Sequence, residues 1–244
     1  MNETMPPPPP PLGSTAPPPP AGPPAGPPPP AGRPGLPFEN PSVSFADGFV
    51  ETVRLLVTRP REAFRMMDPE GDLMRPLLYA VILGWIGIVA SQLYNLVFRG
   101  AMLRMMANQF HGASFGGSMG MAVGMIVVGP ILVIIGLFIW SGLVHLALML
   151  VGGANRSFTA TVKVLAYAQT SALAQVVPFC GGLIAGIWGI VLQIFGIAAA
   201  HETTEGKAAA AVLLPLVFCC TCIILLMLVF GVGLAGLIGL ANQG

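Results

Sequence analysis

Beyond Arg104 the chain carries only five formal charges: Arg156, Lys163, Glu202, Glu205 and Lys207. No feature constrains the fold more. Soluble domains carry about 25% charged residues, whereas here the whole-chain figure is 9% and the mean hydropathy is +0.79. Eight of the ten acidic residues fall within the first 72 positions. A water-solvated fold needs charge all round its surface, so the C-terminal two-thirds has lipid as its solvent. The expected fold class is an all-α integral membrane protein: a five-span helical bundle preceded by an amphipathic helix and a disordered Pro-rich tail.

The spans are expected at about 75–98, 121–151, 159–177, 181–200 and 208–240, within a membrane domain of residues 75–244. At 1.5 Å per residue the second and fifth exceed a hydrocarbon core of roughly 30 Å, so they should tilt, kink or protrude. Gly129-Pro130 is the expected kink. The third run, "TATVKVLAYAQTSALAQVV", is the weakest, because it holds Lys163, Gln169 and Gln175; whether it crosses fully is left open. Five arginines, Arg54 to Arg75, precede the first span, and cationic flanks stay in the cytoplasm. The N-terminus is then cytoplasmic and the C-terminus outside, with Arg156 and Lys207 on inside loops. In a bacterium the membrane would be the inner (plasma) membrane. The first residues lack a basic, then apolar, signal-peptide pattern, so the first span is expected to direct insertion.

Residues 1–37 contain 18 of the 25 prolines. Such a stretch cannot bury a core and favours extended, polyproline-like chain. The expected division is a disordered cytoplasmic tail at 1–44 and a basic amphipathic juxtamembrane region at 45–74. The tail serves as a spacer or as a docking strip for a proline-binding domain. In the juxtamembrane region Phe45, Phe49, Val53 and Leu56 recur at helical spacing, and Pro60 breaks or restarts the helix. Arg54, Arg59, Arg61 and Arg65 accompany that face. They suit anionic lipid headgroups, or the helix packs on the cytoplasmic ends of the bundle.

Little in the sequence suggests catalysis. Cys180, Cys219, Cys220 and Cys222 read as small packing residues; a metal site would need a fourth ligand that is not near in sequence. "HETTE" (201–205) resembles the H-E-x-x-H helix of zinc proteases, but Glu205 stands where the second histidine belongs. The stretch is expected to be a cytoplasmic turn between spans four and five. His201, Glu202, Glu205 and Lys207 then mark where two apolar runs reach water. His145, inside span two, is a candidate intramembrane polar site together with Lys163; the plainer reading is a hydrogen bond to a facing polar group. No basic patch interleaved with aromatics points to nucleic acid. No enzyme activity, cofactor or metal is expected.

"DLMRPLLYA", with Asp72, Leu73 and Pro76, resembles the D-L-Y-G-P motif of the Yip-one family, from which Met74 and Arg75 depart. Pro60 to Phe64 resembles the family's P-x-x-x-F region. "FTATVKVLAYAQTSALAQVVP" and "HETTEGKAAAAVLLP" are similar to stretches bordering spans three to five in bacterial members. The resemblance covers about residues 45–240. It implies five clustered spans behind a Pro-rich cytoplasmic tail in a membrane protein named for interaction with Ypt/Rab GTPases; the two departures weaken any carry-over of GTPase binding. The implied activity is non-enzymatic: organising membrane or trafficking partners through the cytoplasmic N-terminal region. The rival expectation is a small transporter or channel component, in which His145 and Lys163, with Gln169, Gln175 and Gln193, line a polar path.

Overall fold

A computed structural model of the chain describes residues 33–106 and 115–241, with side chains described as far as Phe98, from Met119 to Leu228, and at Phe230. The proline runs of residues 1–32 lie outside the described residues. The elements are a 3₁₀ turn at Pro37–Glu39, α1 (Phe45–Thr58), α2 (Pro60–Met66), α3 (Met74–Met106), α4 (Phe115–Leu150), α5 (Phe158–Ala168), a 3₁₀ segment at Gln169–Val176, α6 (Gly181–Ala200) and α7 (Glu205–Ala241).

Local chemistry sets the first boundaries. Ser44 caps α1, its hydroxyl accepting from the Asp47 N–H at 3.2 Å, and Asp47 complements the helix dipole. Arg59, preceding Pro60, leaves helical geometry with φ −140° and ψ 60°, as a residue before proline tends to do. Pro60 then opens α2, where its missing N–H costs nothing. Leu56, Ala63, Phe64 and Met67 are fully buried. The two helices thus pack on one end of the bundle, which we call the capped end.

Among the described residues four helices contain stretches long and apolar enough to cross a membrane: Met74–Phe98, Met119–Leu150, Gly181–Ala200 and Glu205–Leu228. Pro130 sits inside α4, where it frees the carbonyl of Ile126 one turn back. The Trp85 indole N–H on α3 donates to that carbonyl at 2.8 Å. A neighbouring helix therefore satisfies the acceptor that the proline orphaned.

The third expected span has another form. It is an 11-residue α-helix continued by eight residues of 3₁₀ helix, each contributing about 16 Å of rise. Its start lies at the capped end, where Thr161 meets His201 at 2.9 Å. Its end lies by the far end of α3, where the Tyr94 hydroxyl donates to the Val176 carbonyl and Phe98 packs edge-on against Phe179 at 4.7 Å. Ala160 to Ala168 are all buried, so this is the innermost element. Its polar groups find partners inside the protein. Thr170 Oγ1 donates to the Tyr167 carbonyl and lies 2.7 Å from the Tyr79 hydroxyl, and Ser91 Oγ donates to Gln175 Oε1 at 2.8 Å.

Close approach of α6 to its neighbours depends on glycine. A Cβ on Gly196 would sit 2.4 Å from Val164 and 2.9 Å from Phe64, and one on Gly181 would sit 2.3 Å from the Ala174 carbonyl oxygen. Gly182 and Gly186, spaced as a small-residue contact motif, have nothing within 4 Å.

Candidate functional site

The capped end gathers the unusual chemistry. Residues 33–44, grouped with the tail by composition, supply its plug. Leu36 and Phe38 are buried. The Phe38 ring lies 5.1, 5.6 and 5.7 Å from those of Phe45, Phe49 and Tyr79. Its N–H donates to Thr52 Oγ1 at 3.0 Å, and its carbonyl accepts from Arg75 Nη1 at 2.8 Å.

Beside this plug opens a cleft of about 400 Å³ whose charged lining is Arg33, Glu39, Asp68, Asp72, Arg75 and Lys163. Lys163 is 1% exposed, its Nζ 2.7 Å from Glu39 Oε1, and it donates to the Asp68 carbonyl at 2.5 Å. A buried ammonium requires such a partner, and this one comes from the 3₁₀ turn of the plug. Of the family-motif positions, Asp72 is exposed on the cleft, Leu73 packs against the core and Pro76 is buried in the first turn of α3.

Lys163 and His145 do not share a site. Thr161, two residues before Lys163, lies about 200° round α5 and lies 2.8 Å from His145 Nδ1 and 2.9 Å from His201 Nε2. His201 Nδ1 accepts from the Arg156 backbone N–H at 3.2 Å. A backbone N–H can only donate, which fixes the His201 tautomer: neutral His201 donates from Nε2 to Thr161, whose hydroxyl also makes the contact with His145 Nδ1. His201 is fully buried, and its carbonyl accepts from Asn155 Nδ2 at 2.9 Å. Burial, with His145 and Arg156 nearby, pushes its pKa down to about 4.

The remaining residues of "HETTEGK" hold the turn from α6 to α7. The Thr203 N–H bonds back to the Ala198 carbonyl at 3.0 Å, and Glu202 takes φ +51°, the left-handed residue that closes a helix. The Glu202 carboxylate bridges Arg156 at 2.8 Å and Arg33 at 3.1 Å. The hydrogen bond and charge of Arg156, with Arg33 adding to them, hold its pKa below the usual carboxylate range. Glu205 pairs with Arg61 at 3.0 Å. Lys207 donates to the Gly152 carbonyl at 2.8 Å, just past the end of α4, where a cation is favoured.

The basic juxtamembrane residues divide. Arg54 and Arg59 pair with Glu51 and Glu62 one turn away, at 3.5 and 3.6 Å. Arg61 lies over the Phe195 ring of α6, 4.3 Å from its centroid. Sequence inspection missed Glu39, Asp68 and Thr161 as partners. The available signal was Lys163 itself: a cation in an apolar run needs an anion, and the spans hold none. Among the described residues no three His, Cys, Asp or Glu side chains gather as a metal site.

The Yip1 domain family model matches residues 53–240. No curated protein and no solved structure matches the chain.

Proposed function

The chain belongs to the Yip1-domain family of membrane proteins, and from that premise we propose that it is a non-enzymatic scaffold. Its N-terminal region faces the cytoplasm and gathers membrane or trafficking partners. The α5–3₁₀ element counts as a fifth crossing, which leaves the two termini on opposite sides.

The carrying observation is that four of the five polar side chains of the rival transport path are engaged, each by a partner of its own. Lys163 is held by Glu39, His145 by Thr161, Gln175 by Ser91, and Gln193 by the Trp140 indole at 2.8 Å. The His145–Thr161–His201 chain ends on the Arg156 backbone N–H and shares no partner with Lys163, Gln175 or Gln193, whereas a conduction path needs linked, exchangeable groups across the bundle. The plug at Leu36 and Phe38 further supports the scaffold reading, because it gives the Pro-rich tail a fixed root.

Full-length tagged protein and a variant lacking residues 1–32, both captured from crosslinked membranes, test this. Specific proteins retained by the full chain and lost with the deletion are expected. Equal capture by both would remove the tail from the mechanism. Ion or proton flux in liposomes that disappears in His145→Leu would favour the transporter instead.

A further inference from the structure

Between α2 and the α6–α7 turn lies a second pocket, of about 260 Å³, lined by Arg61, Arg65, Phe195, Thr203 and the two turn glutamates. We propose that it is a headgroup site for an anionic phospholipid, with Arg61 and Arg65 holding the phosphate and the acyl chains lying along α6.

Charge is the first support. Glu202 is already shared by Arg33 and Arg156, and Glu205 is taken by Arg61. The lining itself holds two arginines and two carboxylates, but Arg33 and Arg156 neutralise Glu202 from outside it, so Arg61 and Arg65 face only the charge of Glu205 and the pocket keeps a cationic excess. Among the described residues Arg65 has no hydrogen-bond or ion-pair partner, and it follows Arg61 by one helical turn, on the same face of α2. Arg61 is half exposed although it pairs with Glu205, so its fork retains donors for a phosphate.

Depth is the second support. Phe195 lies five residues before the end of α6, about 7 Å below it, which is the level of an aromatic belt. The Arg61 guanidinium over this ring is thereby held at the membrane boundary. Stepping down α6 from Phe195 come half-buried Val191 and then Ile187, 59% exposed, and Ile184, 45% exposed. This track is apolar and open to an acyl chain. The cleft around Lys163 offers no such combination, because its acids and bases balance and its buried cation is already paired. The proposal stands independently of whether the tail carries protein partners.

The test is binding of acyl-labelled phosphatidylglycerol and phosphatidylcholine to purified full-length protein in neutral detergent. Preference for phosphatidylglycerol is expected. Each arginine near an anionic surface contributes about fivefold, so R65Q should weaken that preference about fivefold and R61Q/R65Q roughly 30-fold. R54Q/R59Q should leave it unchanged, and soluble glycerol 3-phosphate in large excess should not displace the lipid. Equal loss in R54Q/R59Q would reduce the site to diffuse attraction. Displacement by glycerol 3-phosphate would make it a soluble-phosphate site, and indistinguishable binding of the two lipids would remove it altogether. Where R61Q/R65Q fails to fold, R65Q decides, since Arg65 has no hydrogen-bond or ion-pair partner among the described residues to lose.

Discussion

Lys163 and Glu39, 2.7 Å apart, tie the innermost element of the bundle to the 3₁₀ turn ahead of its first helix. Removing one member of a buried pair strands the other charge and costs about 3–5 kcal/mol. Lys163→Met is therefore expected to destabilise the protein by about 3 kcal/mol, read as a lower midpoint of thermal aggregation in detergent. Lys163→Met with Glu39→Met should recover most of the loss, because the stranded carboxylate is gone. A double variant no better than the single would show that the pair is not coupled.

Acid should loosen the capped end through His201. Its pKa falls from 6.5 to about 4 on folding, so the folded state holds it neutral while the unfolded state takes a proton. The associated stability is complete above pH 6.5 and is lost as pH falls from 6.5 towards 4. The total is up to about 3 kcal/mol. Protonation would also place a hydrogen on Nδ1, facing the Arg156 N–H that Nδ1 now accepts from. Unfolding midpoints measured across this window should fall in the wild type and flatten in His201→Gln.

Glycine substitutions should sort by neighbour rather than by motif. Gly196→Ala and Gly181→Ala force a methyl against Val164 and against the Ala174 carbonyl, and are expected to cost about 1–3 kcal/mol each. Gly182→Ala and Gly186→Ala meet nothing within 4 Å and should be neutral within about 0.5 kcal/mol. The same thermal assay on the four variants checks the order.

These cases show what the sequence carried and what it did not. The long apolar helices were legible because lipid solvation leaves an unbroken hydrophobic run, and the α1 face was legible from Phe49, Val53 and Leu56. The character of residues 159–177 was not. Lys163, Gln169 and Gln175 made it look marginal as a span, yet Lys163 and Gln175 have partners on other elements, and burial rather than lipid surrounds most of its helical part. Hydropathy sums side chains one at a time and cannot register a counterion 124 positions away. The division of the arginines was equally hidden, since Arg54 and Arg61 look alike until α6 places Phe195 beneath one of them. "HETTE" gave no sign that His201 is buried, because its contacts to Thr161 and Asn155 are made by residues that no local pattern links to it.

Topology separates four crossings from five. Cys180 is exposed at the far end, between the 3₁₀ segment and α6. With Cys219, Cys220 and Cys222 replaced, Cys180 should react with an impermeant thiol reagent from outside intact cells. With Cys180 replaced as well, a cysteine at Thr204 should react only in inside-out vesicles. The opposite pattern at both positions would put the capped end outside and overturn the cytoplasmic placement of the N-terminal region, and a cysteine at Ser157 labelled from the same side as Cys180 would mean that the α5–3₁₀ element does not cross.

The plug formed by Leu36 and Phe38 divides the chain's tolerance of evolutionary change. Proline-rich repeats encoded upstream of Arg33 can lengthen or shorten by slippage without changing any spacing within the described fold. From Arg33 onward a single inserted residue would shift Phe38 off Tyr79, Glu39 off Lys163 and Arg33 off Glu202 together. Related chains should therefore vary freely in tail length yet keep a constant spacing between this aromatic anchor and the first long helix.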